Sequence, residues 1–322
     1  MLMHAQNRHL RARRKRATAL AGLTALAAVA AAVATDWEEP PGDDAGSLPL
    51  APQSPRPPYD DLFSTKGSLG FDASARPAAA ERLQVQVDTE DLYEIIIVDP
   101  REFIAQVIEG PSETDFDAQL FLFDRDGFPL LANNDAGTFT TAARLTAQAN
   151  DQTEFRLTQP GIYLIGISGA GNIPLATATG SFIPMFSPAV LPPGEVSGPD
   201  GPGANFPLGA WSGDGEVGRY LIAFEGVRTP PGPCPADVTT NGANPGHPAF
   251  GQPDGLVTTT DLTFFIEAWI NGAARADITT DGTVPGDARY EIPDLNITVA
   301  DLSRFVELWL AGCTPESAPA LD

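Results

Sequence analysis

"DGLVTTTDLTFFIEAWING" (254–272) and "DLNITVADLSRFVELWLAG" (294–312) are one phrase written twice, forty positions apart. Residues 236–272 align with 276–312 without a gap. Sixteen of the thirty-seven positions are identical, among them Asp237/Asp277, Gly242/Gly282, Pro253/Pro293, Asp254/Asp294, Asp261/Asp301 and Trp269/Trp309, so the segment is a tandem duplication. Each copy predicts a terminal helix. Leu262, Phe265, Ile266, Trp269 and Ile270 recur at helical spacing, and Leu302, Phe305, Val306, Trp309 and Leu310 repeat the stripe. Gly272 and Gly312 suit the helix ends. A single unit of this size cannot bury its stripe, whereas two related by a pseudo-twofold axis bury each other's. The two Trp residues are therefore expected in the core between the helices.

Upstream of each helix lies a loop dense in oxygen ligands. "DGLVTTTD" (254–261) matches the second half of an EF-hand-like loop: an acid, a Gly for the sharp turn, an inward β-branched residue, then an acid as the helix starts. The first half stands earlier as "DVTTNG" (237–242), and "ANPGHPAFGQP" separates the halves. The second copy reads "DITTDG", "TVPGDARYEIP", "DLNITVAD". Without metal, the same oxygens would serve as Asx-turns and helix caps.

This pair resembles a type I dockerin, in which two repeats each join a calcium loop to a helix. The long insertion, the flanking cysteines and the "PADVTT" opening resemble the GC-type dockerin-like variant, over about a quarter of the chain. The resemblance implies Ca2+ as the cofactor. It places Asp237 and Asp277 first among the ligands, Thr239 and Thr279 third, and Asp261 and Asp301 last. The fifth place falls to Asn241 or Asp254 in the first copy, and to Asp281 or Asp294 in the second. Leu295 stands where the turn Gly belongs, which implies a distorted second turn and a weaker site. The resemblance also implies a docking role, with the helix pair meeting a cohesin-like or cell-surface protein.

Two cysteines, Cys234 and Cys313, bracket the duplication. An even count in an exported chain suggests one disulfide, and two free buried thiols are the alternative. A disulfide would close a loop of about eighty residues and stabilise the module by roughly 4 kcal/mol. "RTPPGPCP" (228–235) reads as a stiff hinge ahead of the module, over 229–235, with the duplicated module at 236–314 and a tail at 315–322.

From 82 to 228 the pattern becomes short strands. "RLQVQVD", "LYEIIIVD", "EFIAQVIE", "AQLFLFD", "EFRLTQ", "GIYLIGIS" and "RYLIAFEGV" are separated by turn formers such as "DRDG", "NNDAG" and "QPG". These strands predict a mainly β protein: an antiparallel β-sandwich or jelly roll, followed by the small two-helix module. A Pro/Gly-rich insertion near 169–215 is expected to be poorly ordered or wrapped over one face.

"DLYEIIIVDP", "DFDAQLFLFDRDGFPLLANNDAG" and "QPGIYLIGISG" resemble the bacterial pre-peptidase C-terminal domain, a small β-sandwich found beside secreted enzymes and in surface proteins. Some members hold calcium. The resemblance makes Asp115, Asp117, Asn133, Asn134 and Asp135 candidates here, with turn formation as the plainer role. Tyr163 and Tyr220 suit core positions, and Trp211 is the aromatic to watch for glycan or peptide contact.

The N-terminus, "MLMHAQNRHLRARRKRATALAGLTALAAVAAAVATDW", sets a basic stretch before an Ala-rich apolar run, with "AVA" at 32–34 for cleavage. It reads as a secretory signal peptide over 1–34, with an uncleaved anchor as the alternative and either the general or the twin-arginine route open. A Pro-, Ala- and acid-rich stretch follows and is expected to be a disordered linker over 35–81. The chain carries a formal charge of −23, with 31 Gly and 31 Pro in 322 residues. Six of its nineteen basic residues lie in the leader, so the exported form holds 13 basic against 42 acidic residues. Such a surface repels phosphate backbones and suits divalent cations.

No catalytic constellation stands out. The only histidine beyond the leader is His247, which aligns with Asp287 in a loop insertion. "HExxH", "GxSxG" and a Walker A loop are absent from the sequence. The reading is therefore a secreted, non-catalytic binding or scaffolding protein with a docking module. The alternatives are a carbohydrate-binding accessory of polysaccharide breakdown, which needs a glycan site in the β-domain, and a hydrolase using an acid pair such as Asp115 and Asp117.

Overall fold

The apolar runs decide the architecture, because several of them are buried on both sides. The computed structural model describes residues 35–40, 45–70, 88–178, 180–187, 191–213, 215–232 and 234–312. Its strands are β1 (Thr35–Glu38), β2 (Leu62–Ser68), β3 (Glu90–Ile97), β4 (Ile104–Val107), β5 (Ala118–Asp124), β6 (Pro129–Asn133), β7 (Arg144–Thr146), β8 (Gly161–Gly169), β9 (Pro174–Ala178), β10 (Ser181–Pro184), β11 (Leu208–Trp211), β12 (Arg219–Glu225) and β13 (Val227–Arg228). Two helices follow, α1 (Thr259–Asn271) and α2 (Val299–Ala311). The signal peptide, the "RLQVQV" run and Cys313 lie outside the described residues.

One five-stranded sheet has the order β1-β2-β12-β4-β7, and a second has β13-β3-β8-β5-β6. All pairings are antiparallel except β1 with β2. The sheets share a core in which Ile95, Leu120, Leu122 and Ile165 of the second sheet join Val107, Ile222 and Phe224 of the first. Alternation then sends Leu92, Phe121, Phe123 and Leu164 to the outer face of the second sheet. That face is covered too. Met185, Phe186, Leu191 and Leu208, from the segment read as an insertion, pack on it. This segment forms a three-stranded sheet of its own, ordered β10-β9-β11.

The other end of the same outer face meets the duplicated module. Ile96, Val98 and Ile162 share a core with Phe264, Phe265, Ala276, Ile278, Ile292 and Phe305. All described residues belong to one compact unit, Ala32–Asp322.

Four expectations change. The stretch read as a linker supplies β1 and β2, and Leu62, Ser64 and Thr65 are buried in the first sheet. Much of what β2 buries is polar, so it leaves no apolar period in the sequence. "EFRLTQ" makes a single bridge, Arg156 to Gln148, rather than a strand. Glu154 sits at φ 54° there and interrupts the extended run. The stretch read as a hinge begins on a packed residue: Thr229 is buried, and its backbone N–H donates to the Asp60 carbonyl at 2.8 Å. Finally, Ile270 and Leu310, the ends of the two helix stripes, are exposed, whereas Phe264 and Ala268 of α1 are buried instead.

Candidate functional site

Thr258 caps α1 and Thr298 caps α2, each in a reciprocal capping box with Asp261 or Asp301 three residues on. Both aspartates do more than cap. Asp261 accepts the Thr258 N–H at 2.8 Å through one oxygen and the Val238 and Thr239 N–H groups, each at 3.0 Å, through the other. Asp301 repeats this with Thr298, Ile278 and Thr279 at 2.8, 2.8 and 3.1 Å. The first and last parts of each loop are thus tied through one buried carboxylate.

The opening aspartates close the remaining gap. Asp237 accepts from the Asp254 N–H at 3.0 Å and the Gly255 N–H at 2.6 Å. Asp277 accepts from Asp294 at 3.0 Å and Leu295 at 2.8 Å. Thr239 and Thr279 are buried: Thr239 accepts the Gly251 N–H at 2.8 Å, and Thr279 donates to the Tyr290 carbonyl. At the fifth place the two alternatives lie together. The Asn241 N–H donates to Asp254 at 2.8 Å, and the Asp281 N–H to Asp294 at 2.9 Å. The halves of each loop are therefore tied together by hydrogen bonds, and most of these oxygens already hold backbone amides. Among the described residues, no three His, Cys, Asp or Glu side chains of either loop are grouped as a metal site. The second turn is not distorted: Leu295 adopts φ 68° where Gly255 adopts 85°.

The two loops differ in charge. Burial, and then the charges of Asp261 and Asp254, push the Asp237 carboxyl above its ordinary range, against the pull of its two amide bonds. Burial also raises Asp277, but the Arg228 guanidinium pulls it back. Arg228 lies 2.9 Å from the Asp277 carboxylate, their side chains 7% and 1% exposed, and it also reaches Asp61 at 3.2 Å. Arg228 carries no signal in the sequence, where it stands at the junction of the strand region and the stretch read as a hinge.

The helices lock reciprocally. The Trp269 indole donates to the Thr298 carbonyl and the Trp309 indole to the Thr258 carbonyl, both at 2.6 Å. Phe265 and Phe305 stack between them, centroids 3.8 Å apart and planes 7° from parallel. Leu262 and Leu302 are half-buried against this core, and Ile266 and Val306 are half-buried. Cys234 is disulfide-bonded, and the sequence holds one other cysteine, Cys313.

The sandwich candidates separate into two groups. Asp115 pairs with Arg219 at 3.2 Å. Asn133 is saturated: it donates to the Asp135 and Glu195 carbonyls at 3.0 and 2.7 Å and accepts the Arg144 N–H at 2.6 Å. Asp117, Asn134 and Asp135 each keep one side-chain oxygen buried and without a hydrogen-bond partner. Burial, and then the charges of Asp135, Glu216 and Glu109, push the Asp117 carboxyl up to about 6. Burial and Glu109 raise Asp135 as well. Orphaned buried acceptors beside uncompensated carboxylates are the environment a hard cation relieves. Glu109 and Glu216 were missed in the sequence because they stand at a strand edge and in a Gly-rich loop. Among the described residues, no three His, Cys, Asp or Glu side chains are grouped as a metal site, so any ligation here would draw on Asn134 or on backbone carbonyls.

Other candidates are engaged. Trp211 donates to the Ser47 carbonyl at 2.7 Å and meets Phe121 and Phe123 edge-on, which leaves little of its face for a sugar. Tyr163 and Tyr220 are buried, and Tyr220 donates to Asp91. His247 is exposed, its ring nitrogen accepting the Ala249 N–H at 3.1 Å. Comparison with protein-family models, with curated proteins and with solved structures found no match.

Proposed function

We propose that this chain is a secreted, non-catalytic binding or scaffolding protein whose duplicated C-terminal module presents the docking surface, with calcium supporting the fold. The observation that carries this reading is a symmetric pair of exposed apolar residues. Ile270 and Leu310, at matching positions of the two copies, are 69% and 71% exposed although the helices already share a complete aromatic core. Leu256, Leu295 and Val299, around the helix starts, are exposed as well. Apolar side chains that the module's own core does not need suit a protein partner. The engagement of Asp115 with Arg219 weakens the case for a hydrolytic acid pair with Asp117.

Calcium belongs first to the Asp117, Asn134 and Asp135 cluster of the sandwich, where the orphaned oxygens lie, and second to the Asp237 loop. There it would neutralise buried carboxylates and hold turns in place. The test is capture of secreted or cell-surface proteins on the immobilised chain, beside an Ile270→Asp/Leu310→Asp variant that folds normally. Specific capture by the parent and its loss in the variant support docking through this face. Equal capture by both would remove the helix face from the reading, and binding confined to glycans would move the function to the sandwich.

A further inference from the structure

Three aspartates stand at matching places in the two loops, Asp237, Asp254 and Asp261 against Asp277, Asp294 and Asp301, yet among the described residues only the second set has a cation paired with it. Arg228 belongs to β13, whose backbone pairs with β3, so its position is set by the sandwich and not by the loop. From there its guanidinium reaches both the carboxylate of Asp277, at 2.9 Å, and its carbonyl, at 3.4 Å. Asp277 also holds the N–H groups of Asp294 and Leu295. Asp237 holds the matching two amides, and among the described residues it makes no ion pair. A guanidinium remains charged at every accessible pH. In a buried setting it repels a divalent ion brought to the same carboxylate.

We propose that Arg228 is the built-in cation of the second loop: it takes the place that calcium would fill beside Asp277, and fastens the module to the sandwich in doing so. The second loop then forms without a divalent ion, and calcium sensitivity within the module is confined to the first. The exposed Leu295, held at φ 68° in the turn, is on the same copy. Leu295 and the Arg228 ion pair thus fall on the same copy, as does Asp281 where the first copy has Asn241. This assignment does not depend on whether the module docks.

The experiment compares the exported chain with Asp237→Asn, Asp277→Asn and Arg228→Met variants. Calcium stoichiometry is measured by calorimetry, and melting temperature is measured in calcium and in chelator. Asp277→Asn should lower the melting temperature by the same amount in both conditions and leave the calcium stoichiometry of the parent unchanged. Arg228→Met frees a buried carboxylate. It should melt lower in chelator and gain a calcium-dependent rise in melting temperature larger than the parent's. If Arg228→Met does not fold in either condition, Asp277→Asn decides. Loss of one calcium equivalent in Asp277→Asn, or a folded Arg228→Met with no added response to calcium, would overturn the proposal. Asp237→Asn reports separately on the first loop, so a chain that binds calcium nowhere in the module is recognised as such.

Discussion

Gly255 and Leu295 hold the same turn at φ 85° and 68°. For an L side chain that region costs about 1–2 kcal/mol, and Leu295, 59% exposed, recovers little of it through burial. Glycine removes the strain but loses more chain entropy on folding, by about 0.5–1 kcal/mol. Leu295→Gly should therefore stabilise the chain by up to about 1 kcal/mol, and Gly255→Leu should destabilise it by up to about 1 kcal/mol in denaturant titrations, because an added Cβ at Gly255 meets open space. At Asp117 the expected effect changes sign with the solvent. In chelator, Asp117→Asn relieves repulsion from Asp135, Glu216 and Glu109, and the variant should melt no lower than the parent. In calcium the parent should melt higher. Curves that keep the same order in both solvents would remove calcium from this cluster. The family resemblance, and not the residue pattern alone, drew attention to Asp117, Asn134 and Asp135, together with Asp115 and Asn133. It could not separate them from Asp115, whose partner Arg219 is more than a hundred positions away.

Both helices were legible from spacing alone, and so was their pairing, because a duplicated stripe has no other place to go. The centre of the α1 stripe was less legible. Phe264 turns inward because Phe250, in the loop insertion, packs against it edge-on at 4.9 Å, and Arg275 lies over its ring. That contact is set by tertiary structure and has no periodic signature. The reciprocal bonds from Trp269 and Trp309 are the device by which each helix reads the cap of the other. Trp→Phe at either position keeps most of the apolar area and removes one hydrogen bond to a cap carbonyl, a loss of about 1 kcal/mol. Because the two bonds brace a single interface, the double variant should depart from additivity by about 0.5 kcal/mol or more in a double-mutant cycle. Strict additivity would mean that the two ends of the helix pair act independently.

At the scale of the whole molecule, the strands β3, β5 and β8 announced themselves as short runs rich in Ile, Leu, Phe and Tyr, and most of their residues are buried. What covers the outer face was not legible, because its two covers, a Pro/Gly-rich segment and a module read as tethered by a hinge, both look like additions to the domain. Instead Ile96 and Ile162 complete the core of the module, and Arg228–Asp277 and Arg275–Asp60, at 2.9 and 3.0 Å, cross the boundary. The two parts should therefore unfold together. Truncating Phe265, at the centre of the helix pair, costs about 3–5 kcal/mol by loss of burial and cavity formation. If the module were a tethered plug, that loss would be confined to helical signals, and the sheets would melt where they did before. With a shared core, Phe265→Ala should lower the melting temperature recorded by sheet-sensitive infrared bands as well as that recorded by helical circular dichroism, and by the same interval. Calorimetry should show one transition for the parent chain. Two transitions, with only the helical one displaced, would restore the hinge and make the contact at Ile96 and Ile162 a resting place rather than part of the fold.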